Sequence, residues 1–191
     1  FTFVRAKAGQ GVTVLARAKL AGDKLADWED LLETLSTTDT NQHFGSRIAF
    51  DETGHVYFGV GDRGERPNAQ DLSNHAGSVM RIRRDGGIPE DNPFVGQANV
   101  LPEIWSYGHR NPQGLAVAPD GTVMIAVGGS AFAYTADGEY LGQLGAYGRE
   151  EGEYRHAAAV AANTWFRFTH FLSSAIGPVA HAETTRSSRK A

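Results

Sequence analysis

The sequence predicts an all-β fold, a β-propeller present as an incomplete set of about three to four blades, and three observations predict it. A strand–turn–strand pattern recurs without gaps at an offset of 67 residues. Glycine is in excess, 23 in 191 residues, against a usual ~7%, which points to many tight turns. The stretch between the two copies carries Gly86-Gly87, Pro89, Asn92-Pro93, Gly96 and Pro102, so it reads as long connections on a strand scaffold.

Taken in order, residues 1–5 read as the interior of a strand, with neither an initiator Met nor a leader-like profile. Residues 11–20, the turn Ala21-Gly22-Asp23-Lys24 and then Leu25 form a candidate hairpin. The segment from Asp27 to Leu35 is helical by composition, yet in a propeller it equally suits an outer strand. The first clear copy of the repeat runs over 48–61, where Ile48-Ala49-Phe50 precede a turn at Asp51-Glu52-Thr53-Gly54 and a β-branched and aromatic run follows. Its counterpart runs over 115–128, with Leu115-Ala116-Val117 before a turn at Ala118-Pro119-Asp120-Gly121. A weaker copy spans 132–144 around Ala136-Asp137-Gly138-Glu139.

Repeated hairpins that cannot bury a face alone are the mark of propeller blades. An ordinary antiparallel sandwich is the alternative on pattern alone. At ~40–45 residues per blade, the chain holds three or four, too few to close a large ring. The partial propeller is assigned to 1–163; residues 164–191 break the pattern, and the polar, basic stretch 184–191 is expected to be disordered.

Composition narrows the function. Hydrophobic residues at 41% and charged residues at 21% suit a soluble globular chain. A net charge of −4 without a basic cluster before the last residues argues against nucleic acid as a partner. With no cysteine there is neither a disulfide framework nor thiol chemistry. No apolar run reaches the ~20 residues of a membrane-spanning helix, so no membrane span is expected.

Two polar segments carry the chemistry. His43 precedes the first hairpin and Asp62 follows it, so the hairpin brings them together although they are 19 residues apart. A carboxylate that fixes the imidazole tautomer and stabilises its cation makes a general base. A structural histidine bonded to a turn carboxylate accounts for the same residues. Arg110 and Asn111 lead into the second hairpin and occupy the equivalent rim, where they offer a fixed positive charge and an amide. An Asn-Pro turn with Arg110 on the surface is the competing account.

Five segments then occur in order: His43-Phe44-Gly45-Ser46-Arg47, Val60-Gly61-Asp62-Arg63, Ala69-Gln70-Asp71-Leu72-Ser73-Asn74-His75-Ala76-Gly77, Asp91-Asn92-Pro93-Phe94 and Tyr107-Gly108-His109-Arg110-Asn111-Pro112-Gln113-Gly114. Together they resemble the soluble aldose sugar dehydrogenases of the glucose/sorbosone dehydrogenase family, which use pyrroloquinoline quinone (PQQ). The resemblance implies a six-bladed propeller with PQQ at its mouth, and oxidation of an aldose at C1 to a lactone. It implies His43 as the base toward the C1 hydroxyl, Asp62 as the carboxylate that orients it, and Arg110 with Asn111 as PQQ contacts. Arg110 would stabilise negative charge developing on the quinone. Calcium, a separate electron acceptor and a periplasmic or secreted location come with the same family.

The likeness covers residues 11–123. Beyond it, where the family has an acidic, glycine-rich segment that supplies calcium ligands, this sequence has Met124-Ile125-Ala126-Val127-Gly128-Gly129-Ser130. Residues 124–163 read as an NHL-like blade, and the later basic residues that grip the PQQ carboxylates have no counterpart. Impaired turnover by this stretch alone is therefore expected, as for a truncated, fused or frame-shifted chain. Two other functions remain open at this point: a non-catalytic NHL-like binding module, and a calcium-dependent lactonase-type propeller.

Overall fold

The computed structural model describes residues 1–146 and, as backbone strands, Ala157–Asn163 and Phe166–Ser173. The polar end expected to be disordered, 184–191, lies outside the described residues. Three antiparallel sheets follow one another along the chain, and the two late strands pair with each other.

The first sheet has the order β1 (Thr2–Lys7), β2 (Gln10–Ala21), β3 (Lys24–Glu33). β1 and β2 join through Ala8-Gly9, both left-handed at φ 50° and 81°. Two positive φ values in a two-residue loop match the right-handed twist of the strands it joins. Most of the segment with helical composition, residues 27–33, lies in the strand β3. Pairing with β2 overrides local propensity there, and cross-strand charge supports it: Arg17 sits opposite Glu29 and donates to it from Nε and Nη2 at 2.9 and 2.7 Å.

The second sheet runs β4 (Ile48–Phe50), β5 (His55–Val60), β6 (Ser78–Arg83), β7 (Ile104–Ser106). The third runs β8 (Pro112–Val117), β9 (Val123–Val127), β10 (Ser130–Tyr134), β11 (Tyr140–Leu144). Each is a four-stranded meander, the unit of a propeller blade. The sequence repeat is preserved in the hydrogen-bond register: Ile48 faces Phe58 and Ala49 faces Tyr57, as Leu115 faces Ile125 and Ala116 faces Met124. The weaker copy at 132–144 is the outer hairpin β10–β11 of the third sheet. The sequence division at 123/124 falls inside β9.

The long connection between the copies contains two strands, β6 and β7, that complete the second sheet. β6 is buried on both faces, so Ser78-Val79-Met80-Arg81-Ile82 lacks the polar alternation that announces a half-exposed strand. Both faces of this sheet are in use. Val56, Phe58, Val60, Met80 and Ile82 pack on Leu15 of the first sheet. Tyr57, Val79 and Trp105 pack on Leu115, Val123 and Ile125 of the third. One side of the period-2 alternation thus serves each neighbouring sheet. Trp105 anchors the second interface, edge-on to Tyr57 and Tyr134, with Nε1 donating to the Ala136 carbonyl at 2.9 Å.

Candidate active site

The chain enters β4, leaves β5, enters β6 and enters β8 at one end of these sheets, and their loops are bonded together there. The Asp62 N–H donates to the Arg110 carbonyl at 2.8 Å, His109 N–H to Gly77 O at 2.8 Å and Gly108 N–H to Ala69 O at 2.9 Å. Gly61 is the junction. A Cβ at that position would meet the His43 carbonyl oxygen, and would lie 2.8 Å from both the Arg110 carbonyl and the His43 Cβ. Only a residue without a side chain lets the three backbones approach this closely.

His43 Nδ1 and Asp62 Oδ1 are 2.5 Å apart, with Asp62 buried and His43 mostly so. The same Oδ1 accepts the Gly64 N–H at 2.9 Å. With a carboxylate as acceptor, the ring carries its proton on Nδ1, and the Nε2 lone pair is the basic position. Nε2 has no hydrogen-bond partner among the described residues, and Oδ2 of Asp62 is buried without one.

Among the described residues two other histidines pair with carboxylates, and both are structural. His75 is buried; its Nδ1 accepts the Leu35 N–H at 2.7 Å, which leaves the proton on Nε2, 3.1 Å from Glu103 Oε1. Burial pushes the Glu103 carboxyl up, and the approach of the His75 side chain together with a backbone N–H outweighs that and holds it below its ordinary value. His55 closes the β4–β5 turn with Nδ1 2.7 Å from Asp51 Oδ2, 3.0 Å from Thr53 Oγ1 and 3.2 Å from Arg81 Nη2. Of the three pairs, His43–Asp62 combines a singly committed Nδ1, an unengaged Nε2 and a place among the converging loops.

The loop is held in a conformation that costs energy. His43 and Ser46 are left-handed at φ 53° and 81°, as is Gly45 at 63°. For a residue with a Cβ this costs ~1–2 kcal/mol. Such outliers persist where the surroundings over-determine them, and they gather at functional sites. Here the Ser46 N–H is tied to Gly59 O at 2.7 Å, and Gly45 approaches the same carbonyl too closely for any Cβ.

The second pair of expected residues lies on the adjoining loop. Arg110 is exposed and Asn111 half-buried, and neither side chain has a hydrogen-bond partner among the described residues. Beneath them His109 is buried and neutral: burial pulls its pKa down to about 4. Its ring Nε2 pairs with Ser106 Oγ at 2.9 Å, which fixes the root of the loop.

The backbone of Arg110, the side chain of Asp62 and His43 are therefore brought together. Sequence reasoning assigned no role to Gly61 and Arg63, two further members of the site. Glycines at 59 and 61, alternating near the end of a buried strand, are the signal that reports close backbone approach. Arg63 gives no such signal, because its buried environment comes from the first sheet.

Among the described residues, no three or more His, Asp or Glu side chains gather to hold a metal. No helix there is long and apolar enough to cross a membrane.

The model of the glucose/sorbosone dehydrogenase family matches residues 1–130. The chain belongs to that family. Aldose sugar dehydrogenase YliI of Escherichia coli is 38% identical to this family member over 113 residues, 58% of this chain and 30% of that protein. Quinoprotein glucose dehydrogenase B of Acinetobacter calcoaceticus is 31% identical over 121 residues, 53% of this chain and 24% of that one. The solved soluble aldose sugar dehydrogenase of Escherichia coli, in its apo-form, superposes with a TM-score of 0.64 at 32% identity, over 70% of this chain and 40% of that one. This dehydrogenase-family chain thus spans less than a third of each of these curated relatives.

Proposed function

We propose that this chain carries the base-and-orienting half of a PQQ-dependent aldose dehydrogenase site, one that oxidises an aldose at C1 to the lactone. The observation that carries the reading is His43: Nδ1 on Asp62, Nε2 unengaged among the described residues, and the Arg110 loop bonded to the Asp62 backbone. The names of the relatives, an aldose sugar dehydrogenase and a quinoprotein glucose dehydrogenase, support it.

Two features fit the cofactor. Arg110 and Asn111 carry polar side chains without hydrogen-bond partners among the described residues, on a loop whose backbone is bonded to that of Asp62, and Gly61 lets the loops approach closely. In the mechanism, Nε2 of His43 takes the proton of the sugar C1 hydroxyl. Asp62 holds the ring in the tautomer that allows this and stabilises the imidazolium that forms. PQQ, when bound, supplies the two-electron oxidant. Arg110 places fixed positive charge against the negative charge that develops opposite the sugar, an electrostatic contribution that grows in the transition state. Asn111 orients by hydrogen bonding.

Calcium, implied by the family, meets no gathered carboxylates among the described residues. An aldose is the substrate class, a separate acceptor removes the electrons, and a periplasmic or secreted location belongs to the same reading. Residues 1–163 act as the partial propeller in this proposal, with 11–123 bearing the site.

The test is a PQQ titration followed by dye reduction with an aldose, comparing the chain with His43→Ala. Saturable PQQ binding, with dye reduction that falls at least 10²-fold in His43→Ala, is the expected result for loss of a general base. Absence of PQQ binding in a chain shown to be folded would overturn the reading and favour a binding module.

A further inference from the structure

Arg63 lies next to the Asp62 carboxylate in sequence yet turns away into the first sheet. It is 3% exposed, left-handed at φ 61°, and has no carboxylate partner among the described residues. A guanidinium has five donors and stays charged, so burying it without an anion is costly unless its surroundings are built for it. They are. Nε donates to the Ser36 carbonyl at 3.0 Å, and Nη2 to Thr13 Oγ1 at 2.8 Å and Ser36 Oγ at 2.7 Å. Nη1 donates to the His43 carbonyl at 3.4 Å. The guanidinium carbon lies over the Phe44 ring, 4.0 Å from its centroid.

The hydroxyls it meets are themselves fixed. Thr34 Oγ1 donates to the Thr13 carbonyl at 2.8 Å and lies 2.6 Å from Ser36 Oγ. The Thr40 hydroxyl closes the arrangement by donating to the Arg63 carbonyl at 3.1 Å. A planar fork thus connects β2 and the segment after β3 to two consecutive residues of the strained loop. Lysine, a point charge on a flexible stem, cannot serve these directions and the ring face together. Burial also pulls the guanidinium pKa down to about 10, so the charge persists at neutral pH.

We propose that Arg63 is a positioning residue for His43: it clamps the His43 carbonyl and the Phe44 ring to the first sheet, and so holds the imidazole on Asp62. The assignment rests on the functional reading of His43, but its structural content does not depend on turnover. Arg63 touches neither a reacting atom nor the imidazole, and acts through the backbone of the residue that carries it. The left-handed His43 needs such a restraint, because without it the loop relaxes toward the ordinary negative-φ conformations.

The experiment is imidazole NMR on the full chain, with the His43 resonance assigned by its loss in His43→Ala. In wild type the Nδ1–H of His43 is shielded by Asp62 and exchanges slowly. In Arg63→Met, and also in Arg63→Lys, that proton is expected to exchange at least tenfold faster, with cooperative unfolding retained. The Nε2–H of His75 is the internal control, since it faces Glu103 and adjoins the Ser36 segment. Loss of the His43 signal with that of His75 unchanged supports positioning. Loss of both together, or an unchanged His43 signal, overturns it. Should neither Arg63 variant fold, Phe44→Leu removes the stacking face and leaves the guanidinium's hydrogen-bond partners in place; its His43 exchange must rise relative to His75, or the proposal fails. Absence of PQQ binding by wild type would remove the functional reading while leaving this outcome readable.

Discussion

Gly61→Ala is the sharpest probe of the way the loops converge. Gly61 is not in the left-handed region, so alanine meets no conformational penalty and the whole effect is steric. The added Cβ would lie 2.8 Å from the Arg110 carbonyl oxygen and the His43 Cβ, where ordinary contact begins near 3.4 Å. Each neighbour must retreat by about 0.6 Å, and the His43 carbonyl by more. No side-chain rotation relieves a clash with backbone. Overpacking of this kind costs about 1–3 kcal/mol. A 1 Å misplacement of a reacting group costs ~10²-fold in rate, so half that displacement corresponds to about tenfold. Urea unfolding followed by tryptophan fluorescence reads the first quantity, and PQQ-dependent dye reduction the second. Gly54→Ala is the control: it is left-handed at φ 99° with nothing within 4 Å, so it costs conformational strain far from the site and leaves the rate unchanged. Equal urea midpoints for wild type and Gly61→Ala would refute the reasoning, since they would mean the three backbones are not in contact.

Other outcomes follow from the same structure. Asp62→Asn keeps the shape but leaves the imidazole without its anion, and dye reduction is expected to fall about 10²–10⁴-fold with KM little changed. The buried His109, at about 4, stays neutral in the fold while its unfolded counterpart titrates near 6.5. The unfolded state therefore binds more protons between these values, so stability is full above pH 6.5 and declines as pH falls toward 4, by up to about 3 kcal/mol. Urea midpoints at pH 7, 5.5 and 4.5 measure this, and the dependence should flatten in His109→Gln. Ala8 occupies a left-handed turn position at φ 50° ahead of Gly9; Ala8→Asn produces the favoured Asn-Gly turn and should raise stability by about 0.5–1 kcal/mol in thermal unfolding.

Much of this protein is determined by its sequence alone. The repeat at 48–61 and 115–128 specified two equivalent hairpins, and their identical registers follow because a one-residue slip would turn Tyr57 and Met124 to the wrong face. The closeness of His43 and Asp62 was legible for the same reason, since a hairpin returns the chain to its starting edge. Tertiary structure decided the rest. Residues 27–35 have helical composition, and only the open edge of β2 makes 27–33 a strand. β6 was hidden because a strand buried on both faces loses its polar alternation. Three of the described histidines stand beside carboxylates, and no local pattern tells how heavily each Nδ1 is committed; that depends on the Leu35 N–H for His75, on Thr53 and Arg81 crowding the Nδ1 of His55, and on Asp62 alone for His43. Arg63 follows Asp62 in sequence, but its partners Thr13, on β2, and Ser36, in the segment after β3, are 50 and 27 residues away. Short-range pattern can place residues across one turn, whereas the hydrogen bonds that commit or free a side chain are made by segments that only the packing of separate sheets brings together.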